Sequence, residues 1–300
     1  MDKNLLNDIL IKLKKMGCDE ADVFFSKDNT VSSSSRLGKI DKTEESQTTE
    51  VGIRVILDKK QSIVSTTNLE KKNIYDLVEK AYQMSKVVPD DKFCGLAKTV
   101  DIKKFNPKDI LNLKLSDPYK PSIEEIKNKV ITLEESALTN KKITNSEGAE
   151  VAYSKNSFCL LGSNGLEIEM EKTHSDYIIA VLAGSRNNME REYDYKSKIF
   201  FNELGDFEKI GRDCSKNAIK KLHSKKIKTC KSDVIFDSKV SASLLRNLFA
   251  ACNSQTIIKG ISFLKNKIEK KVFNSEISIV DNPLMQKKLR SRVSDCEGIE

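Results

Sequence analysis

Prolines decide where this chain can be regular. Four of its five prolines, Pro89, Pro107, Pro118 and Pro121, fall between positions 89 and 121. A proline lacks the N–H that helices and central strands use, and it pushes the preceding residue toward extended backbone. The stretch 89–121 therefore reads as a linker, and the sequence on either side follows its own pattern. Three hundred residues suggest two or three domains by length.

Ahead of the linker the pattern is helix, sheet, helix. Leu5, Leu6, Ile9, Leu10 and Leu13 form the stripe of a first helix that Gly17 ends. Ala21 to Phe25 reads as a strand, and the serine run Ser32–Ser35 as a loop or the tip of an edge strand. Two further strands, Thr49 to Leu57 and Gln61 to Thr67, flank a turn at Asp58-Lys59-Lys60. Thr66-Thr67-Asn68 offers caps for a second helix, with Leu69, Ile74, Leu77, Val78 and Ala81 apolar, that stops at Pro89. Residues 1–105 are thus expected to form an α+β domain, a helix–antiparallel-sheet unit.

Residues 106–228 are expected to form a β-rich central domain. Ser122 with Glu125 three residues on is a capping box, opening a helix whose core side is Ile126, Val130, Leu133 and Ala137. From Ile143 to Asn202 the pattern is β, with turn signals at Asn145–Glu150 and at Gly162-Ser163-Asn164-Gly165. Ile168–Ala183 and Arg191–Phe201 are the long strand candidates. A helix carrying Phe207, Ile210, Cys214, Ala218 and Leu222 closes this piece.

Residues 229–300 begin a third piece, expected to be the start of a mixed α/β C-terminal domain. Val234-Ile235-Phe236 reads as a short strand, and Asp237 or Ser238 as the N-cap of a helix. Val240, Leu244, Leu245, Leu248, Phe249 and Cys252 then share one helical face. Gly260 and Phe263-Leu264 follow, among Lys259, Lys265 and Lys267.

This layout resembles the third domain of the TldD/PmbA, or modulator of DNA gyrase, metallopeptidase family. Cys18-Asp19-Glu20-Ala21-Asp22, Val51-Gly52-Ile53-Arg54 and Thr66-Thr67-Asn68-Leu69 resemble its N-terminal domain in the same order. Asn145-Ser146-Glu147-Gly148 and Arg191-Glu192-Tyr193-Asp194-Tyr195 resemble its central domain, with Glu192 where an Asp is usual. In the catalytic members the third-domain helix carries His-Glu-x-x-x-His after a Leu-Leu pair, and a later Cys completes a zinc site. Here Leu244-Leu245 is followed by Arg246 and Asn247, with Ala251 five positions past Arg246.

Those three degenerate positions carry no zinc chemistry. A permanent guanidinium charge opposes a divalent cation, and an amide has no useful proton affinity as a base. Both histidines, His174 and His223, lie outside the third piece. The resemblance therefore implies the metal-free PmbA/TldE-like branch: no cofactor in this chain, zinc in a TldD-like partner subunit, and unfolded peptide as substrate. The chain itself would have no catalytic residue and no metal. It also implies roughly another 150 residues after position 300, so the chain is expected to stop within its last domain.

Other chemistry is thinly represented. His174 and Ser175 are neighbours on a strand and face opposite ways, so they do not combine with Asp176 as a nucleophilic cluster. His223 sits at a helix end, where a cation complements the helix dipole. Glu167, Glu169 and Glu171 alternate on one strand face; a solvated face outweighs a cation site. Arg54 and Arg186 could grip a substrate carboxylate in bidentate fashion, but nothing in the sequence selects them. Tyr193 and Tyr195 read as strand packing from their residue types; the family resemblance alone suggests a ridge beside a substrate channel.

Composition bounds the partners. No segment reaches the roughly 18 apolar residues of a membrane helix, and the N-terminus lacks a signal-peptide pattern, so a cytoplasmic chain is expected. Seven scattered cysteines without a C-x-x-C pair read as reduced thiols. The net charge of +8 could mark a nucleic-acid binder, but lysines and glutamates are interleaved over most of the chain, which argues against one. The exception is Ser215–Lys231, with seven lysines and no acid, which reads first as a solvated helix end and linker. Two competing classes remain: a DNA- or gyrase-interacting regulator, and a self-sufficient peptidase with ligands outside the recognised motif.

Overall fold

The computed structural model describes residues 3–102, 107–186 and 188–299. Two bodies divide the chain, one formed by Met1–His223 with Asn282–Glu300, the other by Ser224–Asp281.

The first body is built on one six-stranded antiparallel sheet. Its strands are β1 (Glu20–Arg36), β2 (Lys39–Leu57), β3 (Lys60–Thr66), β4 (Ile143–Gly162), β5 (Glu167–Ser185) and β6 (Asn188–Lys198), in the order β3-β2-β1-β4-β5-β6. Strands from both sides of the proline-rich stretch therefore share a sheet, joined where β1 pairs with β4 from Asp22↔Gly162 to Ser35↔Ala149. The expected boundary at 105/106 lies outside the described residues.

Tight turns set the register at one edge. Leu37 and Gly38 both have positive φ, 52° and 76°, the backbone of the hairpin turn that matches strand twist. The buried Glu134 carboxylate accepts hydrogen bonds from both their amides, at 2.9 and 3.1 Å. Asp58 and Lys59, with φ of 50° and 59°, make the equivalent turn between β2 and β3, at the expected place.

Strand alternation gives the sheet a helix face and an open face. On the helix face, α1 (Lys3–Lys15) and α2 (Lys71–Val87) cover one core containing Leu6, Ile9, Leu13, Val23, Ile53, Ile74 and Val78. A second core lies under α4 (Ile123–Leu138) and α5 (Phe207–Lys221), around Val130, Leu133, Val151, Tyr177, Ile179 and Phe207. The expected cap of α4 forms, with the Ser122 hydroxyl accepting from the Glu125 amide at 3.1 Å. These two helices touch closely at Gly211, where a Cβ would stand 2.2 Å from the Leu133 carbonyl oxygen.

Two local expectations are corrected. Ser32–Ser35 is neither a loop nor part of an edge strand but the last stretch of β1, paired on both sides by β2 and β4. Ser33 and Ser35 are buried, and their hydroxyls donate to the carbonyls of Lys42 (3.1 Å) and Val130 (3.3 Å), which removes the penalty for placing serine there. Asn145–Glu150 is not a turn either. It is an irregular stretch of β4 with register shifts, and Gly148 at φ 113° lies so near β1 that a Cβ would meet the Ser35 carbonyl at 2.8 Å.

A short helix, α3 (Pro107–Asn112), and the residues after it run along β5 on the side that β6 leaves free. There the Thr173 amide donates to the Leu115 carbonyl at 2.9 Å. Leu113 and Leu115 pack with Met170 and Val293, so residues 282–299 help cover one end of the open face.

The second body holds α6 (Ser238–Cys252) and α7 (Ser254–Ile258). Asp237 caps α6 as expected, accepting from the Lys239 amide at 2.8 Å. Val234-Ile235-Phe236 forms no strand, since within this body no neighbouring strand is available to pair with it.

Candidate functional site

Arg246, Asn247 and Ala251, the positions expected to hold a degenerate zinc motif, lie on α6. Arg246 and Asn247 are exposed, while Ala251 is buried and its carbonyl accepts from the Ser262 hydroxyl at 2.7 Å. A guanidinium, an amide and a methyl group present no donor set for zinc. Among the described residues no three His, Cys, Asp or Glu side chains are placed to hold a metal ion. The apolar face of α6 is uncovered within its own body: Val240, Leu244, Leu245 and Phe249 are each 44–58% exposed.

The open face of the sheet gathers the other polar candidates. At one end Arg54 on β2 binds Asp22 on β1 through Nε at 2.8 Å and through Nη2, and it reaches the Glu297 carboxylate at 3.0 Å. Burial pushes the Asp22 carboxyl up, against the lowering effect of Arg54. Arg54 is thereby occupied by this chain's own carboxylates. Asn156 on β4 donates to Asp28 on β1 at 3.2 Å.

On β5, Lys172, His174 and Asp176 follow one another at period two on this face. Lys172 donates to the Ser291 carbonyl at 2.8 Å. Burial, then the charges of Arg292 and Arg290, hold its ammonium below the usual lysine range. His174 Nδ1 lies 3.4 Å from Asp176 Oδ1, and burial raises Asp176 despite the imidazole. Ser175 points to the helix face, buried, with no hydrogen-bond partner among the described residues. The expected separation of His174 and Ser175 is what the strand delivers.

Tyr193 and Tyr195 on β6 also stand on the open face, opposite Ala180 and Ile178 of β5. Their rings stack at 6.1 Å with a 13° interplanar angle, and both are exposed. The Arg191 guanidinium lies 5.3 Å from the Tyr193 ring centre while gripping Glu147 in bidentate fashion. The two rings are thus stacked on each other at the surface and not packed in a core.

The remaining candidates are accounted for by local contacts. Lys3 bridges Glu167 and Glu169 at 2.9 and 2.6 Å. Glu171 would be raised by burial, but hydrogen bonds from Ser116 and Lys155 bring it below its ordinary value. With Leu111, Lys114, Phe158 and Met170, Glu169 and Glu171 line a cleft of about 280 Å³. His223, at φ 65°, meets Asn188 at 3.3 Å, and Arg186 sits with φ 51° where β5 ends. Lys172, Arg290 and Arg292 carry no recognisable motif; the signals in the sequence were the period-two polar run on β5 and the Arg-Ser-Arg string.

Comparison with known proteins adds relatives along nearly the whole chain. Family models match in three segments: PmbA/TldA metallopeptidase domain 1 at residues 21–85, the central domain at 116–222, and the C-terminal domain at 229–300. A metalloprotease PmbA homolog of Buchnera aphidicola is 28% identical over 96% of this chain and 64% of its own length. Metalloprotease PmbA of Escherichia coli O157:H7 is 27% identical, over 94% of this chain and 62% of its own. The chain thus spans somewhat less than two thirds of these relatives. Among solved structures, a candidate modulator of DNA gyrase from Bacteroides thetaiotaomicron superposes with a TM-score of 0.91 at 22% identity, over 99% of this chain and 68% of that one. TldE from Thermococcus kodakarensis gives 0.76 at 17%, over 98% and 65%. At these identities the structural likeness establishes the fold.

Proposed function

The chain belongs to the PmbA/TldD metallopeptidase family, and from that premise we propose that it is a subunit that binds no zinc itself and works in a peptidase complex on unfolded peptides. The observation that carries this reading is the donor set on α6. Where catalytic members would place imidazoles and a carboxylate, this chain has Arg246, Asn247 and Ala251, and both of its histidines belong to the other body. Cytoplasmic location and a TldD-like, zinc-bearing partner are parts of the same proposal. No described helix is long and apolar enough to cross a membrane.

In such a complex this chain's role is to shape the space in which a peptide lies. The open sheet face offers the Tyr193–Tyr195 ridge, which can bury apolar side chains of any sequence at small entropic cost because its rings are already stacked. The interior polar groups are paired with each other, as at Asp22–Arg54–Glu297, so that end of the face is a rigid wall rather than a reacting centre.

The test is co-expression with a zinc-bearing family member, affinity capture of this chain, and metal analysis of each separated subunit. Zinc is expected in the partner only, with cleavage of an unstructured peptide requiring both. Stoichiometric zinc in this chain alone, with chelator-sensitive cleavage, would falsify the reading. Tight DNA binding with a steep salt dependence, and no peptidase partner, would point instead to a regulator.

A further inference from the structure

We propose that Lys172, Arg290 and Arg292 form a binding site for the terminal carboxylate of a peptide lying on the open face of the sheet. Lys172 projects from β5, and its ammonium donates to the Ser291 carbonyl at 2.8 Å. Ser291 lies between the two arginines in sequence, so this hydrogen bond sets the Lys172 ammonium against the segment that carries both guanidiniums. The Ser291 hydroxyl, bonded to the Met285 carbonyl, and the Arg292 amide, which donates to the Pro283 carbonyl at 3.0 Å, hold the strap in place. Both guanidinium-bearing residues are exposed and Lys172 is partly buried.

The carboxylates around this cluster have other partners: on the open face Asp28 accepts from Asn156, and Asp176 faces His174. Glu171 is on the helix face with Lys155 and Ser116. Glu203 is paired with Lys287 at 2.6 Å, and Glu297 with Arg54. Among the described residues, the charges that act on Lys172 are those of Arg292 and Arg290, both positive. Holding like charges together around a partly desolvated ammonium is unfavourable, and an anion placed among them reverses the sign of that interaction. Arginine adds a planar fork suited to a carboxylate.

A peptide terminus fits better than an isolated anion because of what flanks the cations. Met170 lies two residues before Lys172 on the same strand face, and Val293 two residues after Ser291; both belong to one apolar cluster. Met170 and Val293 are themselves covered, each 5% exposed. Met170 also lines the cleft with Leu111 and Phe158, where a last side chain can lie while the carboxylate meets the cations. On the other side, His174, Asp176 and the tyrosine ridge continue the face along which the preceding residues would run. The carboxylate's identity as a peptide end rests on the peptide-handling reading above; the convergence of cations does not.

The test uses the whole 300-residue chain and an N-terminally labelled unstructured peptide, as free acid and as C-terminal amide, with inorganic phosphate as competitor. Fluorescence anisotropy is expected to show the acid binding about tenfold or more tighter than the amide, the size of one or two charge-assisted hydrogen bonds. Phosphate should displace the acid. Arg290→Gln and Arg292→Gln, at exposed positions and with circular dichroism expected to match the parent chain, should each bring the acid toward the amide, as should Lys172→Met. Equal affinity for acid and amide overturns the proposal, as does absence of binding by both. Phosphate binding without peptide discrimination overturns it as well, leaving an adventitious ion only. Failure of this chain to pair with a zinc-bearing subunit would sink the complex while leaving this binding result standing.

Discussion

Arg54 shows how a residue that looks free in sequence can be committed by the fold. Its guanidinium holds two carboxylates, one from β1 and one from the strap near position 297, at a place where its side chain is only 20% exposed. Arg54→Ala leaves Asp22 largely buried without its cation, and is expected to destabilise the chain by about 2 kcal/mol, below the figure for a fully buried pair. Urea midpoints check this: the Arg54→Ala, Asp22→Asn double variant should lose less than the sum of the two single changes. Thiols give a second residue-scale expectation. Burial, then the nearby Glu169 charge, pushes the Cys159 thiol up to about 11, and Cys94 and Cys214 are buried too. A colorimetric thiol reagent should modify Cys230, Cys252 and Cys296 quickly and these buried three only after denaturant; rapid native labelling of Cys159 would contradict the packing. At this scale, legibility tracked distance along the chain. That His174 and Ser175 face apart follows from strand periodicity alone, whereas Lys172 meets Ser291 across 119 positions, which no local pattern encodes.

Elements were legible where their apolar stripe or cap was complete. The α4 stripe Ile126, Val130, Leu133, Ala137 is buried as its spacing implies, and Ser122 caps it. Strand β1 was harder, because its serine run has the composition of a loop; only the overlying Val130 carbonyl and the β2 partners make serine acceptable there. The α6 stripe is the opposite case. Its spacing reads as a buried helix face, yet Leu244 and Phe249 are 49% and 58% exposed, because the apolar side chains around it in residues 224–281, Ile235, Ile258 and Phe263 among them, are exposed as well and do not pack on it. Exposed apolar area of this kind binds hydrophobic dyes. This chain should therefore enhance the emission of such a dye, and Leu244→Glu with Phe249→Glu should lower the signal while leaving the circular dichroism of the sheet intact. Unchanged dye emission in the double variant would place the sticky surface elsewhere.

At the scale of the molecule, the proline-rich stretch 89–121 interrupts the sequence without interrupting the sheet. Reading along the chain finds the break, because prolines are local; it misses the β1–β4 pairing, because antiparallel partners more than a hundred positions apart leave no mark on either strand. That pairing has a mechanical consequence. The ladder from Asp22↔Gly162 to Ser35↔Ala149 and the packing of α4 against β1 and β4 join sequence on both sides of the stretch in one cooperative body. Helix α4 supplies a hydrogen-bond acceptor to Ser35 and the Glu134 carboxylate to the β1–β2 turn, so each side also satisfies polar groups of the other. A protease site engineered into the exposed residues 98–100 should therefore yield two fragments that stay together on size exclusion without denaturant. Their urea unfolding should remain a single transition seen alike by far-ultraviolet circular dichroism and tyrosine emission, with a lower midpoint because the nicked chain has lost its covalent connection. Separation of the fragments, or two resolved transitions, would mean that the two halves of the sheet are independent domains laid side by side.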